Sequence, residues 1–384
     1  MDILSEQAAE EFIAARAFSP SLPGFVGIAV DLLVDPACAP SGRRPLRHGF
    51  LDTRSPRVLA VSGPPSPGLE VGLLRMSHDL AASERIVDQH RLTVLPQAAG
   101  TVHPEGPAHA LGTATAGIRV GLEAGLDEGG PLGLRRRWEL AHTLAPVLAA
   151  AFANSPLRHG RPTGWRSVRQ ALRRDLPVRP GPGGPGDAGE GAGTIREDAE
   201  PRKIRDDLKQ REVREGVDPR EAWAAYVMDT AGSTGTTPRQ VLRHGGRLTS
   251  GDLERHMAAL RPPVAARGHL ELDVADRQPG SGWRIPAAVI AVLLDDARAA
   301  EEAAAATAGL AAEPALWERA ARDALTDPVL AAAARDCFMA AYAALARQGV
   351  SRELRDAVAE FTERYVHRNR CPADDVLDSV TARP

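Results

Sequence analysis

The sequence predicts an α+β fold. A few short apolar, β-branched segments are dispersed along the chain, and many longer stretches carry apolar residues at helical spacing. The chain has 384 residues, 43% hydrophobic and 25% charged, which suits a soluble globular protein of one large domain or about two average ones.

Residues 3–17 read as an amphipathic helix with Ile3, Leu4, Ala8, Phe12 and Ile13 on one side, ended by Pro20 and Pro23. Phe25–Val34 is apolar and β-branched, a buried strand stopped by Asp35-Pro36. Arg57–Ser62 and Gly112–Leu122 are further strand candidates, closed by Gly63-Pro64-Pro65 and by Glu123-Ala124-Gly125. Leu134–Ala153 is a long helix stopped by Asn154-Ser155-Pro156, and Pro162–Arg174 suggests another, with Arg166, Arg169 and Arg173 near one face. Residues 177–193, PVRPGPGGPGDAGEGAG, have almost nothing to bury, and the charged run to Asp218 extends them into a flexible insertion, 177–218. Glu221–Met228 resumes a helical pattern. Ser250–Leu260 follows as a helix capped by Ser250 with Glu254 behind it. His269–Val274 reads as a strand, 285–310 and 313–347 as Ala-rich helices, and Arg352–His367 as a closing amphipathic helix with Leu354, Val358, Phe361 and Tyr365 on its apolar side. No internal repeat is found, and the whole is expected to be a single domain over 1–384.

Composition narrows the function. A formal charge of −3 excludes a generally basic nucleic-acid binder, so no nucleic-acid partner is expected. Of the 47 basic residues only Lys203 and Lys209 are lysines; arginine suits planar carboxylate and phosphate recognition, and GC-rich codon usage gives the same excess. The start Met1-Asp2-Ile3-Leu4-Ser5 lacks a cationic, apolar leader, and no run reaches the ~20 apolar residues of a membrane span, so no membrane partner is expected. Cys38, Cys337 and Cys371 are far apart and odd in number, with no metal-ligand spacing, which points to reduced thiols and a cytoplasmic protein.

Two segments stand out chemically. Phe152–Gln170, FANSPLRHGRPTGWRSVRQ, gathers Asn154, Arg158, His159, Arg161, Arg166 and Arg169 around turn residues, a fitting clamp for phosphate or carboxylate. A solvated helix start with surface arginines has the same composition. In Arg261–Trp283, His269, Glu271 and Asp273 alternate with Leu270, Leu272 and Val274, so a strand here has one polar, acidic face with Asp276 just beyond. Such a face suits a cation, and equally an ordinary half-exposed strand. Gly125–Gly133 is not a dinucleotide fingerprint; there is no Walker A sequence and no HExxH.

Taken together, RRWELAHTLAPVLAAAFANSPLRHGRPTGWRSVRQA (136–171), RPPVAARGHLELDVADRQPGSGWRIPAAV (261–289) and the stretch from AARDCF to DDVLD (333–378) resemble the glutamate–cysteine ligase family of the plant and actinobacterial type. Within it they are nearest the ligases that begin ergothioneine synthesis. Weaker likeness runs through 25–36, 58–70 and 113–125. The resemblance implies a fold similar to the glutamine synthetase catalytic domain, a curved antiparallel sheet with outer helices. It implies that ATP phosphorylates the glutamate γ-carboxylate and that the cysteine amine attacks the acyl phosphate, with glutamate and cysteine as small-molecule partners. Magnesium held by carboxylates and arginines on the phosphoryl group are what that reaction needs. Carried onto this sequence, the resemblance implies ATP contact by Arg161, Arg166 and Arg169, metal ligation by Asp31, Glu123 and Glu271, and catalytic roles for Arg166 and Glu271.

The acidic positions depart from the family pattern. Glu-x-Glu on the first strand is matched by Ala29 and Asp31, and a Glu, Gln, Glu series is matched by Arg54, Val58 and Ala60. Arg119 stands at a Gln position, Glu123 at an Asp position and Asp273 at an Arg position. Losing acids to Ala weakens a divalent site, and Arg54 repels the ion. A catalytically degenerate relative acting by binding or regulation, or a ligase for another amine, is the alternative this pattern raises.

Overall fold

The computed structural model describes residues 3–36, 42–100, 114–128, 130–158, 160–173, 217–232 and 235–382. Cys38, Gly112, His159 and residues 177–216 of the expected insertion lie outside the described residues. The chain divides into two compact units built from interleaved segments.

The smaller unit comprises the described parts of Met1–Ser19, Gly181–Arg261 and Ala266–Gly268. Its helices are Glu6–Ala17, Pro219–Asp229, Pro238–Arg243 and Ser250–Ala259. Each begins where a side chain accepts an otherwise unsatisfied amide. Ser5 accepts from Ala8 and Asp218 from Arg220, while Thr237 forms a capping box with Gln240. The last helix is capped by Thr249, reciprocated by Asp252, and not by Ser250 as expected. Arg239 gathers Asp229 at 2.5 Å and Glu10 at 2.7 Å, and also meets Glu6, so one guanidinium ties three segments. Gly268 closes the unit by hydrogen-bonding the backbone of Ala17 and Ser19.

The larger unit comprises Pro20–Pro180, Pro262–Ala265 and His269–Pro384 where described. Its sheet takes strands β1 (Phe25–Asp35), β2 (Arg44–Pro45), β3 (Phe50–Ser55), β4 (Val58–Ser62), β5 (Ser66–Pro67) and β6 (Thr93–Leu95) from the first hundred residues. Two small strands, β7 (Ala99–Gly100) and β8 (Ala114–Thr115), pair only with each other, and β9 (Gly117–Leu122) returns to the sheet. A hairpin of β10 (Leu157–Arg158) and β11 (Arg161–Pro162) stands apart, and β12 (Val264–Ala266) and β13 (Leu270–Asp276) complete the set. The sheet order is β12-β13-β9-β1-β4-β3-β2, open at both edges, with β5 and β6 also on β1. The pairings of β1 with β4, β5, β6 and β9, of β13 with β9, and of β3 with β2 and β4 are antiparallel. The expected α+β class, antiparallel sheet and surrounding helices are observed.

Period-two alternation sets the two faces of this sheet. Ile28, Val30 and Leu32 of β1 lie in register with Val120 and Ile118 of β9 and with Val61 and Leu59 of β4, all buried. Against this apolar face pack the helices Leu69–Gln89 and Arg284–Asp295. The first lies against β1 at Gly72, where a Cβ would be in ordinary contact with the Ile28 side chain, 3.6 Å away. The Leu69–Gln89 helix was not read from sequence, although Leu69, Leu73, Met76, Ser83 and Val87 mark a buried face at helical spacing.

Helix lengths differ from expectation wherever a cap or turn intervenes. The 285–310 helix is two, Arg284–Asp295 and Ala297–Thr307, because Asp296 turns to cap Ala299. The 313–347 helix breaks into Leu316–Arg322 and Pro328–Arg347, the second capped by Asp327. Arg352–Phe361 ends in a wider turn, Thr362–Val366, and a further helix, Pro372–Thr381, follows. Pro328–Arg347 is long and apolar enough to cross a bilayer, yet it carries Arg335 and Asp336, and Leu330, Cys337, Phe338 and Leu345 are buried inside the unit. Phe338 lies 5.7 Å from both Phe152 and Phe361, so one face of this helix supplies core, while Met339 and Tyr342 lie on its exposed face.

Candidate functional site

The other face of the sheet carries the charge. Gly27, Ala29 and Asp31 of β1 alternate with the apolar set, and their register partners are Gly121 and Arg119 of β9 and Ser62 and Ala60 of β4. Ala60 in turn faces Asp52 of β3, and Gly121 faces Glu271 of β13. Further along, Leu33 and Val58 join Ala116, Leu95 and Ala114 in a small apolar cluster that ends the polar area.

Two irregularities re-aim charged residues onto this face. The β3–β4 register shifts between Thr53 and Ser55, which makes Arg54 the extra residue. Its Nε lies 3.6 Å from Asp31 Oδ1. The β13–β9 register shifts between Leu272 and Ala275, after which Asp276 faces Gly117. A regular strand places residues 273 and 276 on opposite faces. The shift instead lets Asp273 and Asp276 both meet the Arg169 guanidinium, Asp276 at 3.6 Å. The polar row expected from His269, Glu271 and Asp273 is thereby extended to Asp276, which unbroken alternation would have placed on the other face.

Arg169 reaches this place from the Val168–Arg173 helix. A helix over Pro162–Arg174 was expected; the first part is instead the end of strand β11 and a turn in which Gly164 adopts positive φ. Arg166 therefore precedes the helix and does not share a face with Arg169 and Arg173. Arg169 is 1% exposed, and its guanidinium lies where a Cβ on Gly117 would be, so only glycine fits at that position. Arg173 binds both the Asp273 carboxylate and, at 2.8 Å, its carbonyl oxygen. Asp276 accepts from Ser155 Oγ at 2.7 Å, Ser167 Oγ at 3.0 Å and the Asn154 amide at 2.9 Å. Gln170 donates to the Val274 carbonyl at 2.6 Å and holds the bulge in place.

Asp31 is 4% exposed and also meets Arg119 Nη2 at 3.4 Å. Four guanidiniums, of Arg54, Arg119, Arg169 and Arg173, thus meet three carboxylates, of Asp31, Asp273 and Asp276. Burial raises the pKa of Asp31 against the pull of Arg119. Burial likewise raises Asp276, opposed by Arg169 and its hydrogen bonds. Burial pushes Asp273 up too, but Arg173, Arg169 and Arg119 together hold it well below the usual carboxylate range. Among the described residues, Nε of Arg119 and Nη1 of Arg169 are buried without a hydrogen-bond acceptor.

The residues singled out from sequence separate in space. Of the three arginines expected at ATP, Arg161 is exposed on β11. Arg166 directs Nε to Asp374 at 2.9 Å and Nη1 to the Arg322 carbonyl at 3.3 Å, tying the start of the Pro372–Thr381 helix to the turn. Arg169 alone reaches the polar face. Of the three expected metal ligands, Glu123 accepts the Phe25 amide at 3.2 Å. Glu271 stands in the row of Gly121 and Gly27, four residues along β1 from Asp31, a displacement of about 13 Å at the rise of a strand. Ser155 and Ser167 were missed as partners of Asp276; nothing local in the sequence marks them, because the bulge creates the pairing.

A divalent ion held by carboxylates does not fit this donor set. The sheet neighbours of Asp31 are Ala29 and Ala60, which offer no donor, and two guanidiniums already meet Asp31 Oδ1. A cation beside them is repelled by about 4 kcal/mol per unit charge pair at 4 Å in an effective dielectric of 20. Among the described residues no group of three or more His, Cys, Asp or Glu side chains converges on a metal position.

A model of glutamate–cysteine ligase family 2 matches residues 85–383. The glutamate–cysteine ligase EgtA of Mycobacterium tuberculosis (strain H37Rv) is 30% identical over 419 residues, covering 100% of this chain and 92% of that protein. The EgtA of Mycolicibacterium smegmatis is 33% identical over 334 residues, covering 82% of this chain and 69% of that protein. Among solved structures, a bifunctional glutathione synthetase from Pasteurella multocida aligns at a TM-score of 0.47 and 12% identity, over 99% of this chain and 52% of that one, so this chain spans about half its length. On the family match and the full-length relatives, the chain belongs to glutamate–cysteine ligase family 2.

Proposed function

We propose that this protein joins the γ-carboxylate of glutamate to the amine of cysteine at the expense of ATP, in ergothioneine or related thiol synthesis. The observation that carries the reading is the full-length similarity to proteins named glutamate–cysteine ligase EgtA, at 30% identity over 100% of the chain. A polar sheet face where Arg54, Arg119, Arg169 and Arg173 gather supports it, because both reactants are anions.

In this reading a γ-carboxylate oxygen attacks the terminal phosphorus of ATP and ADP leaves. The cysteine nitrogen then attacks the acyl carbon: a C–N bond forms, the C–O bond to phosphate breaks, and the amine loses a proton. Arg54 and Arg119, the two members that flank Asp31, meet negative charge developing on the transferred group. Glu271, in the row of Gly27 and Gly121, faces the amine end, and Arg166 supports the scaffold through Asp374. Arg169 acts as a positioning residue that fixes Asp273 and Asp276. The buried, unpaired thiols Cys337 and Cys371 suit a cytoplasmic setting.

The test is ADP release by purified protein with ATP, magnesium, glutamate and cysteine, together with detection of γ-glutamylcysteine. Cysteine-dependent ADP release supports the reading, and its absence at high enzyme concentration counts against it. One observation favours a second reading, a relative that binds these ligands without turnover: Asp31 is engaged by two arginines and flanked by Ala29 and Ala60. Saturable glutamate binding with no ADP release selects this reading. ADP release with another amine in place of cysteine selects a ligase of altered specificity.

A further inference from the structure

We propose that guanidinium groups take the place of a chain-held divalent cation on the polar face of the sheet, so that an oxyanion bound there is met directly by arginine. The inference deepens the ligase reading, on which it rests only for the kind of oxyanion, carboxylate or phosphate.

The argument is geometric. Two side chains from opposite sides of β1 converge on one oxygen: Arg54 from β3 at 3.6 Å and Arg119 from β9 at 3.4 Å, both to Asp31 Oδ1. Arg54 reaches it because a bulge frees it from the ladder. A metal ion bound at Asp31 would share that oxygen's surroundings with two positive charges. Instead, guanidiniums outnumber carboxylates in the connected cluster, four to three. The excess is positive, as for an anion site. Arg119 Nε is buried and lacks an acceptor, and an oxyanion oxygen supplies one. The Arg54 side chain is 24% exposed and that of Arg119 9%, so the group nearest solvent belongs to the cationic pair.

Manganese is the probe for metal. Free Mn(II) is followed by electron paramagnetic resonance as it is added to the purified full chain without nucleotide. The expected result is no stoichiometric uptake, with Asp31→Asn indistinguishable from the parent. A double variant, Arg54→Glu with Ala60→Glu, which restores two acids beside Asp31, is expected to gain at least tenfold in Mn(II) affinity. Inorganic phosphate and glutamate, each titrated in excess EDTA, are the probes for oxyanions. At least one is expected to bind saturably, at least tenfold more weakly to Arg54→Ala, with circular dichroism unchanged; which one binds tells phosphate from carboxylate. One Mn(II) per chain lost in Asp31→Asn would overturn the proposal, as would no binding of either anion in EDTA. Neither readout needs turnover. A failed ligase assay with these results intact refutes the ligase reading alone, and the converse refutes this inference alone.

Discussion

The two ends of the polar face use the same residue types to opposite effect. At β13, Arg169 and Asp273 are 1% and 2% exposed at the side chain, knitted to Asp276, Ser155, Ser167 and Arg173. At β1 and β3, Asp31 is just as buried, but its partner Arg54 is 24% exposed and comes from a two-residue-wide irregularity near the sheet edge. The first arrangement is part of the fold: no member moves without leaving another charge uncompensated in a low dielectric. The second has one member free to exchange a carboxylate partner for a ligand. Arginine-rich chemistry in a sequence therefore does not by itself mark a binding site; the exposure of one partner does.

The sharpest way to break this comparison is to remove one arginine from each end. Arg169→Ala leaves Asp273 and Asp276 short of a buried counter-charge and is expected to cost about 3–5 kcal/mol, read as a lowered midpoint in urea unfolding. A loss under 1 kcal/mol would mean that the β13 end is as adaptable as the β1 end.

Acid titration sharpens the same contrast. Asp273 is held below the usual carboxylate range in the folded protein by Arg173, Arg169 and Arg119, against the effect of burial. Its ionised form therefore contributes stability that is complete above the unfolded value of about 3.9 and is lost as pH falls below it toward the folded value. The penalty of Asp273→Asn relative to the parent is expected to be largest at neutral pH and to shrink below pH ~4. A penalty independent of pH would show that packing, not charge, is what Asp273 supplies.

A third test needs no charge change. Gly117→Ala puts a Cβ into the Arg169 guanidinium, which is pinned on both carboxylates and has nowhere to go. Overpacking of this kind costs about 1–3 kcal/mol. The cost is read as a lowered midpoint in urea unfolding, and a loss under about 0.5 kcal/mol would show that the guanidinium yields to the added methyl group.

Much of this was legible in the sequence. The apolar, β-branched run Phe25–Val34 announced a buried strand, seen as β1, and His269, Glu271 and Asp273 announced a polar face. What alternation does not show is a register shift: Asp276 joins Asp273 only because the strand bulges after Leu272. Arg54 likewise lies in a short, polar strand, Phe50–Ser55, with no apolar period to reveal it. Composition misjudged Phe152–Gln170 in a different way. Its arginines look alike in sequence, but Gly160 turns a hairpin and Gly164 delays the helix, so Arg161 stays exposed, Arg166 binds Asp374 and Arg169 is buried. Local spacing cannot distribute such residues among three environments; only the turn between them does.

The smallest stability effect tests the comparison from its other side. Arg54→Ala removes a 3.6 Å pair whose cation is partly solvated, and Asp31 keeps Arg119, so the expected cost is within about 1 kcal/mol. Arg166→Ala, which removes a half-buried tie to Asp374, is expected to fall between this and Arg169→Ala, at roughly 1–2 kcal/mol. If Arg54→Ala destabilised the protein as much as Arg169→Ala, the charge pair at β1 would be scaffold like that at β13. Near-silence in unfolding combined with weakened oxyanion binding identifies Arg54 as the member of the cluster that the fold can spare and a ligand uses.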